Sequence, residues 1–186
     1  MNRQAAILTI ALLATPLAVS AQGVRPTDQE RLTQIDTALG EGIRQALAEG
    51  GADSLSPALS ALQGAALPND QISVSGLAGD WNCSVIKLGG ILGIVSYPPF
   101  KCRIGADGSF AKLTGSQLTK GSLQVFGDII VYTGTSYVQG DTPVPYASFA
   151  DDIDTNATQI LPDVGLLEVV SPDRARILAT RELVQA

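Results

Sequence analysis

The chain has 186 residues, 45% hydrophobic and 16% charged, with 12 basic and 18 acidic side chains, two cysteines and no histidine. Length and dispersed apolar residues suit a single buried core and exclude intrinsic disorder. Without histidine the chain has no residue for a Ser-His-Asp triad, a histidine-ligated zinc hydrolase site or a 2-His-1-carboxylate iron site.

Residues 1–21 carry Arg3, an apolar run from Ala5 to Leu13, Pro16, and small residues in Val19-Ser20-Ala21. This is the pattern of a secretory signal peptide cleaved after Ala21, and it predicts a periplasmic or secreted protein. The run is shorter than the ~20 residues a membrane-spanning helix needs, so no integral span is expected. Cleavage there would remove Arg3 and leave 11 basic and 18 acidic residues, a net charge of −7. That sign opposes binding to nucleic acid. An even pair of cysteines, Cys83 and Cys102, predicts one disulfide in an oxidising compartment.

A helical segment is expected over 22–71 and an antiparallel β-barrel-like domain over 72–186. Thr27-Asp28-Gln29-Glu30 reads as a capping box, followed by an apolar stripe through Leu32, Ile35, Leu39, Ile43, Ala46 and Leu47 and a stop at Gly50-Gly51. Ser56-Pro57 reads as the start of a second helix, with Leu59 and Leu62 inward and Gly64 as its end. From there the period becomes two. Trp81, Cys83 and Val85 alternate with polar residues, as do Phe100, Cys102 and Ile104, so the two cysteines fall on apolar faces. Further strands are expected at 110–114, 122–126, 129–137, 165–170 and 174–183, with turns at Asp107-Gly108, Gly127-Asp128 and Ser171-Pro172-Asp173. The sum is an α+β fold with N-terminal helices packed on a barrel-like sheet of about seven to eight strands. The 141–163 stretch, with Pro143, Pro145 and Pro162, is a long irregular connection of the kind that carries binding functions.

Three patterns bear on chemistry. Ser84-x-x-Lys87 with Lys112-Leu113-Thr114-Gly115 echoes penicillin-recognising enzymes, but positions i and i+3 of a strand point to opposite faces, so serine and lysine cannot meet. Asp152-x-Asp154-x-Asn156, with Asp163 twelfth, spaces oxygen ligands like a calcium loop; Ala157 stands where that loop needs glycine, and no helices flank it. The expectation is therefore no metal and no cofactor, with calcium at those four residues as the alternative. Lys87, Lys101, Arg103, Lys112 and Lys120 concentrate in the first half of the sheet of an acidic chain. They are candidates for a polar binding face, against a solvated outer surface.

Gly79-Asp80-Trp81 resembles the Gly-x-Trp signature of lipocalin-like barrels. That resemblance implies a tryptophan plugging one barrel end, stacked with a last-strand arginine, here Arg176 or Arg181. A broader pattern runs through Gly79-Asp80-Trp81-Asn82-Cys83, Ile86-Lys87-Leu88-Gly89-Gly90, Tyr97-Pro98-Pro99-Phe100-Lys101-Cys102-Arg103-Ile104 and Lys112-Leu113-Thr114-Gly115-Ser116-Gln117. By this pattern the chain is similar to a family of exported bacterial proteins, domain-of-unknown-function family 4893, which implies no activity. It departs from that pattern at Ser84 and Leu118, where basic residues are expected. A looser similarity is to periplasmic inhibitors of secreted metalloproteases, small disulfide-bonded barrels that act through a free N-terminal arm. The reading is a non-enzymatic binding module for a small apolar ligand or a protein partner. The alternatives are an inhibitor of that kind and an enzyme with a carboxylate or lysine site.

Overall fold

A computed structural model describes residues 23–154 and 157–180. Three helices come first, α1 Pro26–Thr33, α2 Ile35–Glu49 and α3 Ala52–Leu62. The strands are β1 Gly79–Cys83, β2 Ile86–Leu88, β3 Ile94–Ser96, β4 Phe100–Ile104, β5 Ser109–Lys112, β6 Gln117–Phe126, β7 Ile129–Val138, β8 Leu161–Ser171 and β9 Arg174–Leu178. The class is α+β with the helices N-terminal. Seven strands form one antiparallel sheet in the order β1-β4-β5-β6-β7-β8-β9, curled into a half-barrel with β1 and β9 as its edges, and β2 pairs with β3 separately.

The helical part differs from its expectation in three ways, each with a local cause. Helix α1 has no capping box: Pro26 occupies the first turn and Arg25 precedes it with no side-chain cap. Proline suits that position because its missing N–H would be unpaired there anyway. The single expected helix is two, broken at Gln34, where Thr33 turns its hydroxyl back onto the Glu30 carbonyl and the Gln34 N–H bonds to the Arg31 and Leu32 carbonyls. Helix α3 starts before Ser56-Pro57 and carries Pro57 inside it. The lost ladder bond is offset by packing of Leu55 and Ala58 against Ala46 and Ile94.

Residues directly opposite in the sheet share a face. The concave face carries the main core, Leu77, Ile104, Leu123, Ile130, Tyr132, Leu167 and Val169, with Leu67, Ile72 and Val74 laid over it and Trp81, Phe110 and Ile177 against it. The convex face of β7 and β8 is covered by the N-terminal strap: Val24 packs on Val131 and Val164, and Leu32 joins them. Asp28, 1% exposed, anchors this strap. Arg25 (3.2 Å) and Arg31 (2.7 Å) both pair with its carboxylate, and the Tyr146 hydroxyl donates to it at 2.6 Å. Helices α2 and α3 pack on β2 and β3, and the C-terminal end of α3 is tied to β9 of the large sheet by Arg174 and Arg176.

The disulfide joins Cys83 and Cys102, with Cα atoms 6.0 Å apart. Cys83 lies opposite Phe100 and Cys102 opposite Trp81, so the bridge runs diagonally between two strands that already pair. The loop it closes contains the entire β2–β3 hairpin. On the chain-entropy view such a closure stabilises by about 3 kcal/mol.

Candidate functional site

The five predicted cations do not form one face. Lys101, Arg103 and Lys120 are exposed on the convex side, in register through the Arg103–Ala111–Lys120 row. Arg103 Nε lies 2.6 Å from Asp80 Oδ1 with both side chains mostly in water. The pairing holds the Asp80 carboxyl below its ordinary range and raises the Arg103 guanidinium, but an exposed pair adds little stability. Lys87 belongs to the hairpin, its Nζ 5.4 Å from the Tyr97 ring centroid. Lys112 turns inward opposite Cys102, its ammonium 3.7 Å from the Phe100 ring centroid and donating to the Gln117 carbonyl.

The indole N–H of Trp81 donates to the Leu77 carbonyl at 2.9 Å. Arg176 instead bonds Glu168 at 2.5 Å and, with Arg174, gathers the carbonyls that end α3, among them Ser60, Leu62, Gln63 and Gly64. The cation–ring contacts among the described residues involve Lys87 and Lys112, not Arg176, because the guanidinium is committed to a helix C-terminus where positive charge is favoured. Arg181 lies outside the described residues, as does Asn156 of the calcium-like spacing. Asp163 of that spacing sits on β8, its Oδ2 accepting from the Thr119 hydroxyl at 2.8 Å. Among the described residues no three acidic or cysteine side chains converge on a metal position.

The concave face holds a polar chain that the sequence reading did not pick out. Since the Thr119 proton goes to Asp163, the Tyr132 hydroxyl, 2.6 Å from Thr119 Oγ1, must donate to it. Burial, then the Asp163 charge, push the Tyr132 phenol far up. The ring crosses Gly134, where a Cβ would lie 2.1 Å from the Tyr132 oxygen. Phe110 meets the ring edge-on at a centroid distance of 5.3 Å. The alternation Tyr132, Gly134, Ser136 was the available signal; a lone tyrosine facing a glycine across one strand repeat carries no chemistry until the register is known.

Among the described residues, the most exposed apolar feature is the tip of the β2–β3 hairpin. Ile91 is 96% exposed and Leu92 69%. The tip is held. Gln45 of α2 donates to the Gly90 carbonyl at 2.7 Å and accepts from the Gly90 N–H at 3.1 Å, and the Gly89 N–H reaches the Gly93 carbonyl at 2.7 Å. Glycines make this approach feasible: Gly42 of α2 lies against Leu88, where a Cβ would be 2.9 Å from the Leu88 Cβ, and Gly89, Gly90 and Gly93 all have positive φ. Beside the tip, α2 and α3 leave a shallow apolar groove lined by Ile43, Leu47, Leu55, Leu59 and Leu62 and floored by Leu88 and Ile94. Leu47 (58%) and Leu59 (45%) continue the exposed apolar surface. Two apolar side chains on a loop whose backbone is clamped, next to an apolar groove, form a projection with an adjoining contact surface.

The family model described as Domain of unknown function (DUF4893) matches residues 21–182. The chain belongs to this family. Its match takes in the helices, the hairpin and every strand of the half-barrel, so the hairpin tip lies within the family's extent. No curated protein and no solved structure matches the chain.

Proposed function

We propose that this DUF4893 protein is a non-enzymatic binding module that works outside the cytoplasm and engages a protein partner through its helix–hairpin unit. The observation that carries the reading is the nearly complete exposure of Ile91 on a loop held by Gln45. With the loop backbone already held, little backbone ordering entropy is left to lose when its side chains bind. The leader-like first 21 residues and the disulfide support the location.

Two other readings gain less support. A small apolar ligand would occupy the concave face, but Leu67, Ile72, Val74 and Leu77 already cover it. An inhibitor acting through a free N-terminal arm is at odds with residues 24–33, which are docked on β7 and β8 through Val24 and Arg31 and on Tyr146 through Arg25. Burying one large aliphatic side chain contributes about 1.5–3 kcal/mol. Two such residues are comparable only with the lower end of the association cost, about 4–15 kcal/mol. The tip is therefore an anchor that works together with Leu47, Leu59 and the surrounding polar rim.

The test is to run native periplasmic extract through size exclusion and follow this chain. The wild-type chain elutes in a complex larger than itself, while Ile91→Ser/Leu92→Ser elutes as the monomer with an unchanged circular dichroism spectrum. Identical elution of the two would overturn the proposal.

A further inference from the structure

The rim of this surface has a sign. Helices α2 and α3 carry four exposed carboxylates, Asp36, Glu41, Glu49 and Asp53, against one arginine, Arg44. Glu49 is fixed beside the tip: a Cβ at Gly93 would lie 3.1 Å from its carboxylate oxygen, and the Gln45 amide that clamps Gly90 also donates to it at 3.2 Å. On the hairpin, Ile86 and Leu88 pack toward the helices, so Lys87, held over Tyr97, lies on the other face. The apolar knob is thus held by a helix pair whose exposed charges are predominantly acidic, with Glu49 beside it, on a chain that is itself net negative.

Resting on the proposed partner-binding role, we infer that the partner is a protein with an apolar pocket rimmed by lysine or arginine, which takes Ile91 and Leu92 while its rim meets Glu49 and the other exposed carboxylates of α2 and α3. Charge complementarity selects this occupant over the alternatives. A second copy would bring the same acidic helix pair to the same place, and an anionic lipid surface would repel it. Opposite charge at the rim chiefly speeds encounter and sets specificity, whereas the buried anchor sets the dissociation rate.

The experiment uses the partner recovered with the intact chain by size exclusion and measures Kd by surface plasmon resonance from 50 to 500 mM NaCl. The expected result for the wild-type chain is a Kd that weakens roughly tenfold or more over that range, mostly through the association rate. Glu41→Lys/Glu49→Lys should weaken Kd at low salt by a similar factor, while Leu92→Ser should raise the dissociation rate and leave the salt slope unchanged. A Kd that ignores both salt and charge reversal, but still depends on Leu92, overturns the basic-rim inference and leaves the docking role standing. A Kd indifferent to Leu92→Ser overturns both. Self-association in sedimentation velocity, or co-sedimentation with phosphatidylethanolamine–phosphatidylglycerol vesicles, abolished by Leu92→Ser, overturns the protein-pocket inference in favour of that occupant. The salt series needs no variant, so a charge reversal that disturbed the clamp would not leave the question open.

Discussion

Tyr132 shows how one side chain organises its surroundings. Its ring needs Gly134 beneath it and Thr119 at its far end, and both are met because the pairing puts Gly121 opposite Gly134 and Thr119 one repeat further along. Gly134→Ala forces a methyl group into the Tyr132 hydroxyl, so urea unfolding should show a loss of about 1–3 kcal/mol. The same environment gives a pH dependence. The Tyr132 phenol is raised by burial and by Asp163, and Tyr146 is raised by burial and by its bond to Asp28. A phenol whose folded pKa exceeds its unfolded value of ~10 favours the folded state below that value and loses its contribution as pH rises further. Phenolate absorbance from these two residues should therefore appear only together with unfolding in an alkaline titration, and Tyr132→Phe and Tyr146→Phe should each shrink that late phase. Appearance of either signal before loss of the far-ultraviolet spectrum would contradict the packing described. Neither partner was legible beforehand, because period-two spacing gives the face of a residue but not its neighbour across the sheet.

At the scale of elements, the strands of the large sheet were largely legible. Alternation along Trp81–Cys83 and Phe100–Ile104 placed both cysteines on one side, and the register confirms it. The β2–β3 hairpin was not, since strands of three residues are too short to display a period and the Gly89-Gly90 pair reads only as a break. The division of the first helix was also hidden, because the apolar stripe continues across Gln34 while the backbone does not. What positions the hairpin tip is a single glutamine from another element. Gln45→Ala should raise amide hydrogen exchange across residues 89–93 well above the rest of the chain at a cost of about 1 kcal/mol in global stability. Unchanged exchange there would mean that the glycine turn holds itself. Arg176 plays the corresponding part for α3, whose terminal carbonyls it ties to Glu168 on the sheet, rather than stacking on Trp81.

Across the whole molecule, the disulfide bounds the excursion that carries the hairpin, from the end of β1 to the middle of β4. Replacing both cysteines by serine should lower stability by about 3 kcal/mol and loosen β1 and the hairpin before the β6–β7–β8 centre. The half-barrel serves as a filled scaffold: its concave face is packed with its own side chains and the segment around Leu67–Leu77, the β7–β8 part of its convex face is covered by the N-terminal strap, and the helix–hairpin unit is left to present apolar surface. The most direct test of that division places a photo-crosslinking amino acid at Ile91 and, as a control, at the exposed Gln139 after β7, in cells making the full chain. A single discrete adduct from position 91, absent from position 139 and lost when Leu92 is also changed to serine, is the outcome the account predicts. Adducts of equal yield from both positions, or none from position 91, would contradict it.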